Sequence, residues 1–270
     1  MAYFNQQVVV ITGGSSGIGK ALATLAHEQG AKVAVCGRNI EQLRKAYPPD
    51  ERLLLVQADV SREADCKAFI ETVAGQWQRI DVLINNAGIS MRALFADLDL
   101  SVLKELMDIN FWGAVYTTKY ALPYIISSKG SIAGISSIAG YRGLPARSGY
   151  SASKFALQGF LESLRTELLY SGVNVLWASP GFTASNIRNT ARTADGSAQK
   201  ETPLKENQLM SAETCAAIIL KGIQKRKRSI VMTPLGKATV WMNKLFPAWM
   251  DKKTYQHFAA EPDSPLKKHG

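Results

Sequence analysis

The chain has 270 residues, of which 46% are hydrophobic and 20% charged, and a net charge of +10. That is enough apolar material for one sizeable core in a single α/β domain, and no run of about 18 apolar residues is present, which argues against a membrane-spanning helix. Three cysteines and three histidines lie scattered along it, which argues against a disulfide framework or a zinc site and predicts reduced, buried thiols in a cytosolic protein.

Residues 8–11 (Val-Val-Val-Ile) read as a short strand that is apolar on both faces. The first residues lack a basic start, so no secretory leader is expected there. A glycine-rich turn follows, and helical spacing runs from 18 to 29, ended by Gly30. Residues 32–36 and 53–56 are the next strands, the latter closing at Asp59 and Val60. Ser61 is placed to cap a helix whose first turn holds Glu63 and Asp65. A fourth strand covers 82–84, and one long helix is expected over 101–126, with Pro123 near its end. Strands at 131–136, 173–177 and 229–232 and a helix over 150–170 complete the pattern. A long polar loop over 182–211 follows the sixth strand and is placed to cover a site, as long loops in compact domains often do. Strand and helix in alternation predict a doubly wound parallel sheet with helices on both faces and a ligand site at the carboxyl ends of its strands.

Two motifs fall at that rim. Gly13, Gly17 and Gly19 stand between the first strand and first helix, where a tight turn and free helix N–H groups suit a diphosphate. The end of the second strand carries Arg38 and no acid. An acid there would bind the ribose hydroxyls of NAD, whereas an arginine pairs with a 2′-phosphate, so NADP is expected over NAD. The second motif is Tyr150 with Lys154 one helical turn on, after Ser137 at the end of the fifth strand. A cation beside a phenol favours the phenolate, so Lys154 is expected to lower the pKa of Tyr150, make it a proton donor or acceptor, and bind the nicotinamide ribose. Ser137 is expected to hold the substrate oxygen.

With these residues in place, residues 5–235 resemble the short-chain dehydrogenase/reductase superfamily. The run Gly13, Gly14, Ser15, Ser16, Gly17, Ile18, Gly19 is similar to its cofactor loop, and Asp59 with Val60 to its adenine-contacting pair. Asn85, Asn86, Ala87 and Gly88 resemble the motif that steadies the sheet, and Pro180 with Gly181 the one beside the nicotinamide. The resemblance implies a Rossmann-type sheet of about seven strands and a catalytic set of Asn110, Ser137, Tyr150 and Lys154, with Asn110 holding a water in a relay to the lysine. It implies a carboxamide or diphosphate contact from Thr183 or Ser185. It also implies a homodimer or homotetramer acting on a small carbonyl or alcohol. A finer likeness to the hydroxysteroid dehydrogenases rests on Ala194-Asp195-Gly196 and the basic run Lys225-Arg226-Lys227-Arg228, and points to hydrophobic or lipid-like substrates.

Residues 1–235 read as the catalytic domain and 236–270 as an extension. Eleven of the Lys and Arg residues and three of the acids lie from Lys221 onward, so that stretch carries +8 and the rest +2. Its Trp241, Phe246 and Trp249 alternate with lysines, so the extension is read as closing the pocket, as a subunit contact, or as lying on an anionic membrane from the cytoplasmic side. No nucleic-acid recognition motif is present. The competing class is a non-catalytic NADP-binding sensor or scaffold on the same fold, against which the full catalytic set argues.

Overall fold

The computed structural model of the chain describes residues 3–183, 187–200 and 209–268. Its strands are β1 (Val8–Thr12), β2 (Lys32–Gly37), β3 (Leu53–Gln57), β4 (Val82–Asn85), β5 (Ser131–Ile135), β6 (Asn174–Ser179) and β7 (Ser229–Val231). They form one parallel sheet in the order β3-β2-β1-β4-β5-β6-β7. The apolar runs explain the placement, because β1, β4, β5 and β6 are buried along their whole length.

Each face carries its own core. Helices α3 (Glu63–Trp77), α4 (Leu100–Met107), α5 (Gly113–Ser128) and α6 (Ser148–Glu167) pack Phe69, Leu106, Ile125 and Leu161 on one side. Helices α1 (Gly17–Glu28), α2 (Ile40–Ala46) and α7 (Ala212–Gln224) pack Leu22, Leu43 and Ile219 on the other. Sequence periodicity passes over α2 and α7. Asn39 caps α2 by accepting from the Gln42 amide, and Ser211 caps α7 through Thr214. After β7 come α8 (Pro234–Leu245) and α9 (Pro247–Ala259), followed by a short 3₁₀ turn at Pro265–Lys268.

One expectation is refined and one corrected. The helical stretch expected over 101–126 is present as a continuous run made of α4, a widened π-type turn at Asp108–Trp112, and α5, which runs on past Pro123. The bulge turns Asn110 inward, where its amide receives the Ile89 N–H at 2.8 Å and donates to the Ile89 carbonyl at 2.9 Å. Such widened turns mark functional positions. Ser61 does not cap α3; Arg62 holds that position. Ser61 instead gives both its amide and its hydroxyl to Asp59 Oδ1, at 3.0 and 2.8 Å. The hydroxyl is thus held as a donor by Asp59 and is not turned to accept from the first-turn amides of α3.

Candidate active site

Where the chain order reverses about β1 and β4, the strand ends splay and a cavity of about 600 Å³ opens. Gly13, Ser15, Ser16, Gly17, Ile18, Gly19, Arg38, Asp59, Val60, Asn86, Ala87, Gly88, Ser137, Tyr150, Lys154, Pro180, Gly181 and Thr183 all line it. Asn110 lies just behind the wall, buried, and Ser185 falls outside the described residues.

At one end the backbone is shaped for an anion. Gly13 and Gly17 adopt φ of +70° and +53°, which side chains disfavour. A Cβ on Gly19 would stand 2.2 Å from the Gly13 carbonyl oxygen. Ser16 begins α1 in extended backbone without capping through its own side chain, so first-turn N–H groups remain for a ligand. Asn86 fastens the loop by donating to the carbonyls of Thr12 and Gly13 at 3.0 and 2.9 Å, and the Thr12 hydroxyl accepts from the amides of Asn86 and Ala87. Asn85 ties β4 to α5 through Thr117 and Thr118. The exposed Arg38 side chain has no hydrogen bond or ion pair among the described residues. These features fit a dinucleotide with its diphosphate on α1.

The chemical groups meet near the middle. Ser137 leaves β5, its hydroxyl accepts from the Ala139 amide at 3.2 Å, and it acts on the phenol of Tyr150 across the cavity. Lys154 Nζ lies 5.7 Å from the Tyr150 ring centroid and donates to the Ile135 carbonyl at 2.8 Å. Gly88 lets the lysine and Asn110 approach: a Cβ there would stand 3.4 Å from Lys154 Nζ and 3.1 Å from Asn110 Oδ1. The Asn110 amide also donates to Ser153 Oγ at 2.9 Å, so its side chain is spent on holding Ile89 and α6 in register.

The electrostatics depart from the expected pattern. Burial raises the Tyr150 pKa, and what opposes it is the Ser137 hydroxyl and then the charge of Arg147. Lys154 is itself pushed down to about 8 by burial. The cation that pulls on the phenol in the cofactor-free chain is therefore Arg147, three residues before Tyr150, rather than Lys154. Arg147 is the N-cap residue of α6, so its nearness depends on where the helix begins.

The far end is built from the tail. Arg147 Nη2 donates to both carboxylate oxygens of Glu261, at 3.0 and 2.9 Å, and its guanidinium lies 4.5 Å over the Phe258 ring. Phe182 stacks with His257 at 6.4 Å. The stretch after Phe182 laces back through bridges from Arg192 to Met91 and Ala198, and Arg192 pairs with Glu105 at 2.5 Å. Phe258 and Glu261 carry no motif, and only the fold brings them to the cavity. Gln158 was also missed; its amide donates to the Ser136 hydroxyl at 2.7 Å. The three cysteines are free and buried.

A family model described as short chain dehydrogenase matches residues 7–196. Among curated proteins, the chain is 35% identical over 241 residues to the mouse dehydrogenase/reductase SDR family member 7B, covering 86% of this chain and 75% of the relative. It is 34% identical over 257 residues to the 11-beta-hydroxysteroid dehydrogenase-like 4A of Arabidopsis thaliana, covering 92% and 84%. A short chain dehydrogenase/reductase of Burkholderia phymatum, solved in complex with NAD, shares the fold with a TM-score of 0.78 at 22% identity, covering 92% of this chain and 96% of that one.

Proposed function

The chain belongs to the short-chain dehydrogenase family and is an oxidoreductase of alcohol/carbonyl pairs with a nicotinamide nucleotide, and from that premise we propose that it is an NADP(H)-dependent reductase of hydrophobic, lipid-like carbonyl compounds. The observation that carries this reading is the meeting of Ser137, Tyr150 and Lys154 in the same cavity as the glycine loop. The glycine loop and α1 N-terminus would hold the diphosphate, and Lys154 the nicotinamide ribose. The nucleotide supplies the hydride. Tyr150 gives its phenolic proton to the substrate oxygen as negative charge develops there, and the Ser137 hydroxyl steadies that oxygen. Lys154, at about 8, is poised to return a proton to the phenol near neutral pH.

NADP preference rests on Arg38, whose guanidinium is free to form a fork on a 2′-phosphate. Arg38→Asp should raise the Km for NADPH by roughly 10- to 100-fold and leave that for NADH no worse, since one charge-assisted contact is worth about 1.5–3 kcal/mol. Steady-state kinetics with both nucleotides checks this, and an unchanged NADPH/NADH ratio rejects it. The lipid-like substrate rests on Leu144, Phe182 and Phe258 along the cavity wall and on the hydroxysteroid-dehydrogenase names of relatives. A homodimer or homotetramer accords with exposed Trp112 in the widened turn before α5 and Phe155 on α6.

We further propose that the tail lies on the cytoplasmic surface of an anionic membrane. Leu235 and Trp241 are 69% and 68% exposed, and Leu245, Phe246 and Trp249 are exposed beside them. Lys237, Lys244, Lys252 and Lys253 surround this patch, the composition of an interfacial helix pair. No described helix is long and apolar enough to cross a membrane. The chain should sediment with phosphatidylserine-containing vesicles at low salt and be released as salt rises. The Trp241→Glu, Trp249→Glu double variant should stay in the supernatant while keeping its activity. Equal sedimentation of the two proteins sinks the idea.

A further inference from the structure

The tail brings a carboxylate to the substrate end of the cleft. Glu261 is 7% exposed, yet it lines the cavity together with Arg147, Tyr150 and Phe258. Two arginines hold it. Arg147 forks onto both of its oxygens, and Arg92 Nη2 approaches Oε2 at 3.3 Å while donating to the Pro262 carbonyl at 2.6 Å. Both guanidiniums are nearly buried, at 15% and 10% side-chain exposure. Arg147 is further fixed by the Phe258 face and by donation to the Pro145 carbonyl at 3.4 Å.

The chemistry of this cluster is specific. A buried guanidinium with a vacant fork would be a receptor for a substrate carboxylate. Here the guanidinium nearest the catalytic phenol is already paired, through Nη2, with a carboxylate of the chain itself. An incoming anion would have to displace Glu261 or sit beside it, and like charges in a partly desolvated site repel strongly. A neutral, apolar compound meets no such obstacle. It can pack on Phe258 and Leu144 while Arg147 stays compensated.

We propose that Glu261 is a specificity-determining residue: the carboxylate brought by the C-terminal segment occupies the Arg147 fork, so that the cleft accepts neutral carbonyl compounds and turns away those bearing a carboxylate. The inference rests on the reading that this end of the cavity receives the carbonyl compound. It assigns the tail a chemical role as well as a covering one.

The test reads binding and needs no turnover. On the full chain saturated with NADPH, calorimetry compares 1-octanol and octanoate, a neutral probe and a carboxylate of equal length. The unaltered chain should prefer 1-octanol. Glu261→Gln keeps the shape and removes the charge, which leaves Arg147 and Arg92 uncompensated. Octanoate affinity should then rise by about tenfold or more, a modest return for one desolvated charge pair, with 1-octanol little changed. Glu261→Asp retains the charge and should retain the preference, and it decides the matter if the Gln variant loses its tail packing. An unchanged octanoate/octanol ratio in Glu261→Gln overturns the proposal. So does loss of the preference in Glu261→Asp, or failure of octanoate to bind any of the three proteins. Whether the chain reduces carbonyls is decided separately by Tyr150→Phe, so the two ideas fail independently.

Discussion

Tyr150→Phe should lower kcat for NADPH-dependent carbonyl reduction on the order of 10²- to 10⁴-fold, the range for loss of a positioned general acid. The substitution removes one oxygen from a partly buried ring on the cavity wall and leaves the nucleotide loop, Arg38 and Lys154 untouched. Affinity for NADPH should therefore stay within about threefold, as expected when an interaction made only in the transition state is lost. Single-turnover rates and fluorescence titration with NADPH separate the two quantities, and equal rates in both proteins reject the mechanism. The pH dependence has a definite sign. Because burial places the phenol pKa above its ordinary 10.0, the group is protonated through the neutral range. Reduction, which needs the proton, should be flat across that range. Oxidation, which needs the phenolate, should rise with pH.

Lys154→Met should abolish most turnover and yet stabilise the cofactor-free chain near pH 7. The amine is buried beside Gly88 and pushed from 10.5 down to about 8. Below about 8 the folded chain carries a buried charge whose desolvation opposes folding. Between about 8 and 10.5 the folded state has released its proton while the unfolded chain still holds one. Stability from this group therefore rises with pH across that window. Methionine removes the cost, so the variant should melt higher than the unaltered chain at pH 7, and its advantage should shrink as pH climbs from 8 towards 10.5. The lost hydrogen bond to the Ile135 carbonyl offsets part of the gain, by about 1 kcal/mol. Thermal melts at several pH values measure this directly. A variant less stable at pH 7, or a difference independent of pH, would show that the ammonium is already compensated in the fold.

The sheet was legible because its strands are continuous runs of β-branched and apolar residues, and the loops at their carboxyl ends carry the glycines and hydroxyls. The nucleotide end was legible for the same reason: its residues are local, and a turn such as Gly13 to Gly19 states its own geometry. What stayed hidden is non-local. Asn110 sits in a widened turn because its amide satisfies Ile89, 21 residues away, and helical periodicity cannot register that. Arg147 reads as a surface residue until Glu261, 114 residues later, folds over it. Spacing assigns the cation acting on the phenol to Lys154, because spacing reports proximity, whereas burial has drawn the lysine down to about 8, so it is neutral where the phenol titrates. Ser61 shows the same limit at small scale, since a capping signal carries no information about a competing acid two residues before it.

The pairing of β1 with β4 has a further consequence for how the molecule comes into being. Val9 lies opposite Val82 and Ile11 opposite Ile84, so the middle of the sheet waits for a partner more than seventy residues downstream. Until that stretch arrives, β1 has one side unfilled and the glycine loop lacks the Asn86 clasp. Connections of such long range slow folding, because loop entropy is spent before any contact repays it. The nucleotide seat is thus complete only once β4 and Asn86 have docked beside β1, and a chain released from synthesis before β4 would lack it.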